Sequence, residues 1–401
     1  MVTMEGSKLV ISSYKDKYLA VYFKDDKAYD IEVIDKGLRM LDSIHIAKVG
    51  NIADNISAAF LDIVSPSNKD ERLKAYYSLT DNKRHIYTDF SEHERFKQND
   101  EILVQITKEA AKGKACIASS NISLSGVYTV LSLGQGKVTF SSKIDDKAWK
   151  EEIKTEIEGY LDKDLNLVLR TNSYKVNKEF IVKELLLLSN KMKGLLEKAR
   201  HTKAPALIKL SDKEYIGLLK QYLNEELKEI ITDIDEVYED VSAYIKDGDK
   251  GKILSCRLYK DELLSLSKLY ALDSLIEGVK QRKVWLKNGA YIVIDYTEAM
   301  TVIDVNTGKT DINKSAEQTI YYTNLEATKE IARQLRLRNI SGIIIIDFID
   351  MKSKELRDKL FNKLNKELKE DKVRARAIDY TALNLVELTR QKIKKPLYEV
   401  L

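Results

Sequence analysis

The chain has 401 residues, more than one compact domain usually holds, so two to four modules are expected. At 44% hydrophobic and 32% charged it can bury sizeable cores, and a net charge of +4, from 67 Lys and Arg against 63 Asp and Glu, does not announce a nucleic-acid binder by itself. Cys116 and Cys256 lie far apart without a nearby His or Cys partner, which excludes a zinc knuckle and a disulfide framework. Apolar runs such as Ile343–Ile346 and Leu185–Leu188 fall far below the roughly 20 residues that span a bilayer. The amino terminus lacks a basic segment followed by an apolar stretch, so a cytoplasmic protein without membrane insertion is expected.

Residues 7–34 alternate apolar and polar positions in short runs, which predicts a small antiparallel sheet. Residues 45–108 carry about five more such runs, including His45–Val49, Ser57–Ile63, Lys74–Ser78 and Glu101–Thr107, a number that suits a small OB-type barrel. Further on, the strand-like Leu167-Val168-Leu169 ends in Arg170-Thr171. A forked guanidinium beside a hydroxyl suits a terminal phosphate, although a strand-ending Arg is more often a solvated residue.

From Lys178 to Lys203, Ile181, Leu185, Leu188, Met192, Leu195 and Leu196 recur at helical spacing, and Pro205 ends the helix. A strand-like Ala206–Leu210 and helix-like stretches at 212–228, 235–246 and 261–270 follow, the alternation of a mixed α/β domain. Near the end, Ser353 caps a helix whose Leu356, Leu360 and Leu364 share one face.

Two apolar strands carry carboxylates that a purely structural strand would exclude. In Thr297–Lys309, alternation sets Asp304 and Asn306 on one face and Ile303 and Val305 on the other. In Gly342–Met351, four isoleucines lead to Asp347 at the strand's carboxyl end. Brought together, the two carboxylates suit one hard divalent cation; taken singly, each is equally a strand-end aspartate capping a turn.

These segments, with Tyr322–Ile340 between them, resemble the catalytic domain of the bacterial ribonuclease E/G family almost without interruption over residues 297–351. The resemblance implies that Asp304 and Asp347 hold Mg²⁺, with Mn²⁺ an alternative, and that Asn306 orients a metal-holding aspartate. It implies an α/β multidomain protein: an RNase H-like domain in two parts (1–36 and 215–279), an inserted OB-type RNA-binding barrel (37–119), a 5′-sensor subdomain (120–214) and a DNase I-like catalytic domain (280–401).

Gly126 and Val130 match the family's glycine and valine beside its Arg-Thr pair, so Arg170, Thr171, Gly126 and Val130 are expected to form a pocket for the RNA 5′-monophosphate. Phe60 and Tyr76 fall where the family has aromatics facing RNA, although aromatics in a small barrel are more often core. Lys114 and Arg374 match basic family positions, with Ala115 departing from the glycine that usually follows the lysine. On the helix before Asp347, Lys329, Arg333 and Arg336 form a basic stripe, either a solvated face or a guide for RNA.

The chain stops before the family's Cys-Pro-x-Cys segment, so no zinc is expected and the chain is expected as a monomer or weak homodimer. The expected partner is single-stranded, A/U-rich RNA and the expected reaction is hydrolysis to a 5′-phosphate and 3′-hydroxyl in RNA processing and mRNA decay. A non-catalytic single-stranded RNA-binding protein and a DNA-directed nuclease are the competing readings.

Overall fold

The computed structural model describes residues 6–91, 93–110, 114–174, 176–223, 227–247, 254–308 and 316–401. Lys309, the last residue of the first carboxylate segment, lies outside them. The chain forms two compact units, one made of residues 1–35, 227–245 and 250–401, the other of residues 36–226 and 246–249.

The first unit begins with an antiparallel meander, β1 (Ser7–Tyr14), β2 (Lys17–Lys24) and β3 (Lys27–Asp35), as the alternation predicts. Asp25 and Asp26 form the two-residue turn between β2 and β3, both with positive φ (50° and 56°), the backbone twist that matches the strands on either side.

The second unit opens with a closed five-stranded barrel that fits an OB-type domain. Its strands are β4 (Ile44–Ala53), β5 (Ala58–Val64), β6 (Arg72–Ser78), β7 (Glu101–Lys108) and β8 (Cys116–Ser119), in the order β4-β5-β6-β8-β7, with β7 pairing back to β4. Inward positions such as Val49, Leu61, Tyr77, Val104 and Ile106 fill it.

A four-stranded sheet follows in the same unit. It contains β9 (Ser123–Ser125), β10 (Thr129–Leu133), β11 (Val138–Phe140) and, after α1 (Lys147–Glu158), β12 (Leu165–Leu169), in the order β11-β12-β10-β9. Helix α2 (Lys178–Arg200) starts at Asn177, whose side chain accepts from Glu179 N, and its Ile181, Leu185 and Met192 bury against Leu131, Leu167 and Leu169. Strand β13 (Ala206–Lys209) pairs with β4, and α3 (Glu214–Tyr222) completes the unit's regular elements.

The chain then returns to the first unit. Leu227–Thr232 is not the tail of a helix running over 212–228: it is strand β14, parallel to β1, with three buried residues at its end. Its neighbour β1 has burial on consecutive positions too, the mark of a strand covered on both faces. After α4 (Asp235–Asp247), β15 (Ser255–Leu258) adds in parallel, giving the order β15-β14-β1-β2-β3. The helix-like stretch at 261–270 reduces to α5 (Leu266–Leu269), and α6 (Leu272–Lys280) follows.

The same unit ends in a second sheet. Its elements are β16 (Lys283–Trp285), β17 (Tyr291–Tyr296), β18 (Met300–Asn306), α7 (Ala316–Leu337), β19 (Gly342–Asp347), α8 (Lys354–Lys369), β20 (Ala375–Tyr380) and β21 (Val386–Arg390). The strand order is β16-β17-β18-β19-β21-β20, and α7 makes the crossover between parallel β18 and β19. One face is the core, where Ile294, Ile303 and Ile346 meet Ile331, Leu335 and Leu360 from the two helices. Ser353 caps α8 by accepting from Leu356 N, as expected.

Candidate functional site

Parallel register sets Asp304 of β18 directly beside Asp347 of β19, and both side chains are exposed while Ile303, Val305 and Ile346 are buried. The two carboxylates therefore share the sheet face opposite the helices, about 4.8 Å apart from strand to strand. Asn306, two residues along the same face, donates from Nδ2 to Asp304 Oδ2 at 2.7 Å and fixes that carboxylate. Partial burial and the negative charges of Asp304 and Asp350 push the Asp347 carboxyl above the usual carboxylate range. The site is thus short of positive charge and offers oxygen donors, the donor chemistry that suits a hard divalent cation.

A residue the sequence did not single out holds this corner in place. Asn324 of α7 is fully buried. Its Nδ2 donates to the Ile349 carbonyl at 2.8 Å and its Oδ1 accepts from Ile349 N at 3.1 Å. The backbone just after Asp347 is pinned to the helix by both groups, which orients the strand end.

In the other unit, Arg170 and Gly126 meet directly, with Arg170 Nη1 donating to the Gly126 carbonyl at 2.6 Å. Thr171 follows at the start of a 3₁₀ turn, its hydroxyl 3.0 Å from that of Ser141, and Val130 lies opposite Ser125 and Val168 in the sheet. The four residues expected at one pocket are brought to one end of the four-stranded sheet.

The loop Gly126–Thr129 forms a nest of backbone amides, and Glu184 of α2 already fills it. Glu184 Oε1 accepts from Val127 N at 2.7 Å, and Oε2 accepts from Tyr128 N, Thr129 N and the Thr129 hydroxyl at 2.8, 2.9 and 3.0 Å. A side chain at Gly126 would run into this carboxylate, since a Cβ there would lie 2.3 Å from its carboxyl carbon. Glu184 thereby braces the loop whose carbonyl aims Arg170. A glutamate on a helix face carries no sequence signal for that role; only the fold brings it to the loop.

The sequence pattern of the Ribonuclease E/G family matches residues 123–393. The chain belongs to that family. It is 30% identical over 387 residues to Ribonuclease E of Nostoc sp., covering 95% of this chain and 55% of the relative. It is 30% identical over 401 residues to Ribonuclease E of Synechocystis sp., covering 98% and 58%, and 27% identical over 363 residues to Ribonuclease G of Escherichia coli, covering 90% and 74%. The chain therefore spans a little over half the length of the cyanobacterial relatives it matches.

Other residues expected from the Ribonuclease E/G resemblance are placed unevenly. Phe60 and Tyr76 face each other across β5 and β6, ring centroids 6.1 Å apart, both half-buried, whereas Ala59, Leu61 and Tyr77 point into the barrel. The pair therefore lies on the barrel's outer surface, and the aromatics buried in its core include Tyr77 and Tyr87. Lys114 is exposed two residues before β8.

Arg374 is exposed just before β20, whose first residue pairs with Arg390, itself opposite Gly342 at the start of β19. Asp347 ends β19, so Arg374 sits on the order of 20 Å from it by strand geometry and does not join the carboxylate pair. The basic stripe is not a solvated face. Arg336 is buried with its guanidinium 4.1 Å above the Tyr29 ring, and Arg333 binds Glu330 at 2.8 Å and the Ala28 carbonyl at 3.2 Å. Only Lys329 of the three is exposed. No helix among the described residues is long and apolar enough to cross a membrane.

Proposed function

We propose that this chain is a metal-dependent endoribonuclease of RNA processing and mRNA decay that cuts single-stranded, A/U-rich RNA in the cytoplasm. One observation carries the reading: Asp304 and Asp347 stand side by side on an open sheet face, in mutual repulsion that a cation would relieve. Asp304 and Asp347 would hold Mg²⁺ or Mn²⁺, both of which favour oxygen ligands. When bound, such an ion polarises a phosphodiester and lowers the pKa of a nearby water, which suits hydrolysis to a 5′-phosphate and a 3′-hydroxyl. Asn306 keeps Asp304 in its rotamer, and Asn324 keeps the end of β19 in line.

Around this centre, the strand order β3-β2-β1-β14-β15, with its antiparallel half and its parallel half, supports an RNase H-like reading of the first sheet. The sheet that carries Asp304 corresponds to the DNase I-like part, and the four-stranded sheet to the 5′-sensor. Arg170 and Thr171, with backbone near Gly126 and Val130, would grip a 5′-monophosphate by charge-assisted hydrogen bonds. Phe60 and Tyr76, outside the barrel, would stack on open bases, with Lys114 and Arg374 contributing cationic contacts.

The test is a gel of one labelled A/U-rich oligonucleotide, prepared as RNA and DNA and with a 5′-monophosphate or 5′-hydroxyl, incubated with Mg²⁺ or EDTA. Internal cleavage of the RNA in Mg²⁺ only, faster with the monophosphate, is expected. Cleavage unaffected by EDTA would remove the metal from the account, and an intact RNA in every lane would remove the nuclease.

A further inference from the structure

The open face of the last sheet holds more than the carboxylates. Lys283 of β16 pairs with Val293 of β17, Val293 with Asp304, and Asp304 with Asp347. In the next row, Trp285 pairs with Tyr291 and Tyr291 with Asn306. Residues directly opposite in a ladder share a face, so Lys283, Trp285 and Tyr291 lie on the face that carries Asp304, Asn306 and Asp347. Burial agrees, since Leu286, Ala290, Ile292 and Ile294 take the core side.

Trp285 is 62% exposed, although it is the largest apolar side chain of the edge strand. The Tyr291 ring stands against it edge-on, with centroids 5.3 Å apart. The Lys283 ammonium sits 4.0 Å from the Trp285 centroid and 3.5 Å from that of Tyr291. A cross-strand aromatic pair can serve the hairpin alone. That role does not call for an indole left largely in water beside a fixed cation, two strand spacings (about 10 Å) from a carboxylate pair.

We propose that Trp285 and Tyr291 form a stacking platform for one base of the single-stranded RNA substrate, with Lys283 meeting the phosphate of that nucleotide. The inference rests on the nuclease reading and adds a subsite to it. An aromatic face accepts any base, a cation at its edge favours the sugar-phosphate chain, and the same face leads to the metal-holding carboxylates two strands away. Anchoring the strand here presents a neighbouring phosphodiester to Asp304 and Asp347. Because a stacked base is held alike before and during hydrolysis, the platform lowers KM and leaves kcat unchanged.

The test uses tryptophan emission in the full chain carrying Trp149→Phe, which leaves Trp285 as the reporter. A short A/U-rich RNA is added in EDTA, so that nothing is cleaved, and its binding is followed separately by anisotropy of a terminal dye. A sugar-phosphate oligomer of equal length without bases serves as control. The RNA should quench Trp285 as it saturates, and the baseless oligomer should not.

In cleavage assays Trp285→Ala should raise KM by about five- to hundredfold with kcat within about twofold. Trp285→Phe should recover most of the loss, which a general folding defect would not allow. RNA that saturates the chain by anisotropy without changing Trp285 emission, or an unchanged KM in Trp285→Ala, would overturn the platform and leave the nuclease standing. Absence of RNA binding by both readouts would overturn the nuclease reading and the platform with it.

Discussion

The two candidate sites are opposites in charge. On the last sheet, Asp304 and Asp347 face each other with Asp350 nearby, and Asp347 titrates high because its surroundings disfavour its charge. In the loop Gly126–Thr129, Glu184 is met by three amides and a hydroxyl, and the Arg170 guanidinium is already aimed by the Gly126 carbonyl. On the proposed reading the first site takes an ion from outside, whereas the amide nest of the second is filled by the chain's own Glu184. The first is proposed to carry the reaction and the second to grip the RNA 5′ end.

That contrast can be broken most severely at the carboxylates. Asp304→Asn or Asp347→Asn removes one of the two carboxylates proposed to hold the cation, and the cleavage rate should fall by roughly a thousandfold or more while RNA binding survives. Rate measurements under single turnover, paired with a binding assay, check both halves. Asn306→Ala should cost less, about ten- to a hundredfold, because it loosens a ligand without deleting it.

At the other site the effect should be one of discrimination. A gripped monophosphate favours its substrate over the 5′-hydroxyl form by roughly tenfold to a hundredfold, and Arg170→Ala should erase that ratio mainly by slowing the monophosphate. Arg170→Lys should restore it only in part, since an ammonium lacks the fork. Glu184→Gln keeps the shape but turns an NH₂ towards amide donors, so the ratio should fall through the loop that Glu184 braces. A ratio untouched by Glu184→Gln would mean that the loop holds itself.

The smallest expected effect is a pH dependence of stability. With Asp347 raised in the folded chain, the folded state binds that proton more tightly than the unfolded state does, so without metal this group's contribution falls as pH rises through its folded range. Asp347→Asn should therefore melt slightly higher than the unmodified chain in EDTA at neutral pH, and should lose the gain that Mg²⁺ confers. A lower melting point for the variant in EDTA would show that the carboxylates do not strain the fold.

Much of this was legible because it is periodic. The alternation around Asp304 and the isoleucine run before Asp347 fix which side of a strand each residue takes, and the leucine spacing of α2 fixes its buried stripe. What escaped depends on partners distant in sequence. Leu227–Thr232 lies among other strands and shows no clean alternation, so it blends into the helix-like residues before it. The spacing of Lys329, Arg333 and Arg336 places them on one side of α7 but is blind to Tyr29 and Ala28, which cover two of them. The role of Glu184 and the row that joins Trp285 to Asn306 exist only once the loop is folded and strand registers are set.

Whether Asp304 and Asp347 share a metal ion can be measured without any substrate. Mn²⁺ titrated into the chain loses its free-ion electron paramagnetic resonance signal as it binds. The account predicts a bound ion in the unmodified protein, displaced by excess Mg²⁺, and its loss in Asp304→Asn and in Asp347→Asn. Undiminished Mn²⁺ binding in both variants would contradict it.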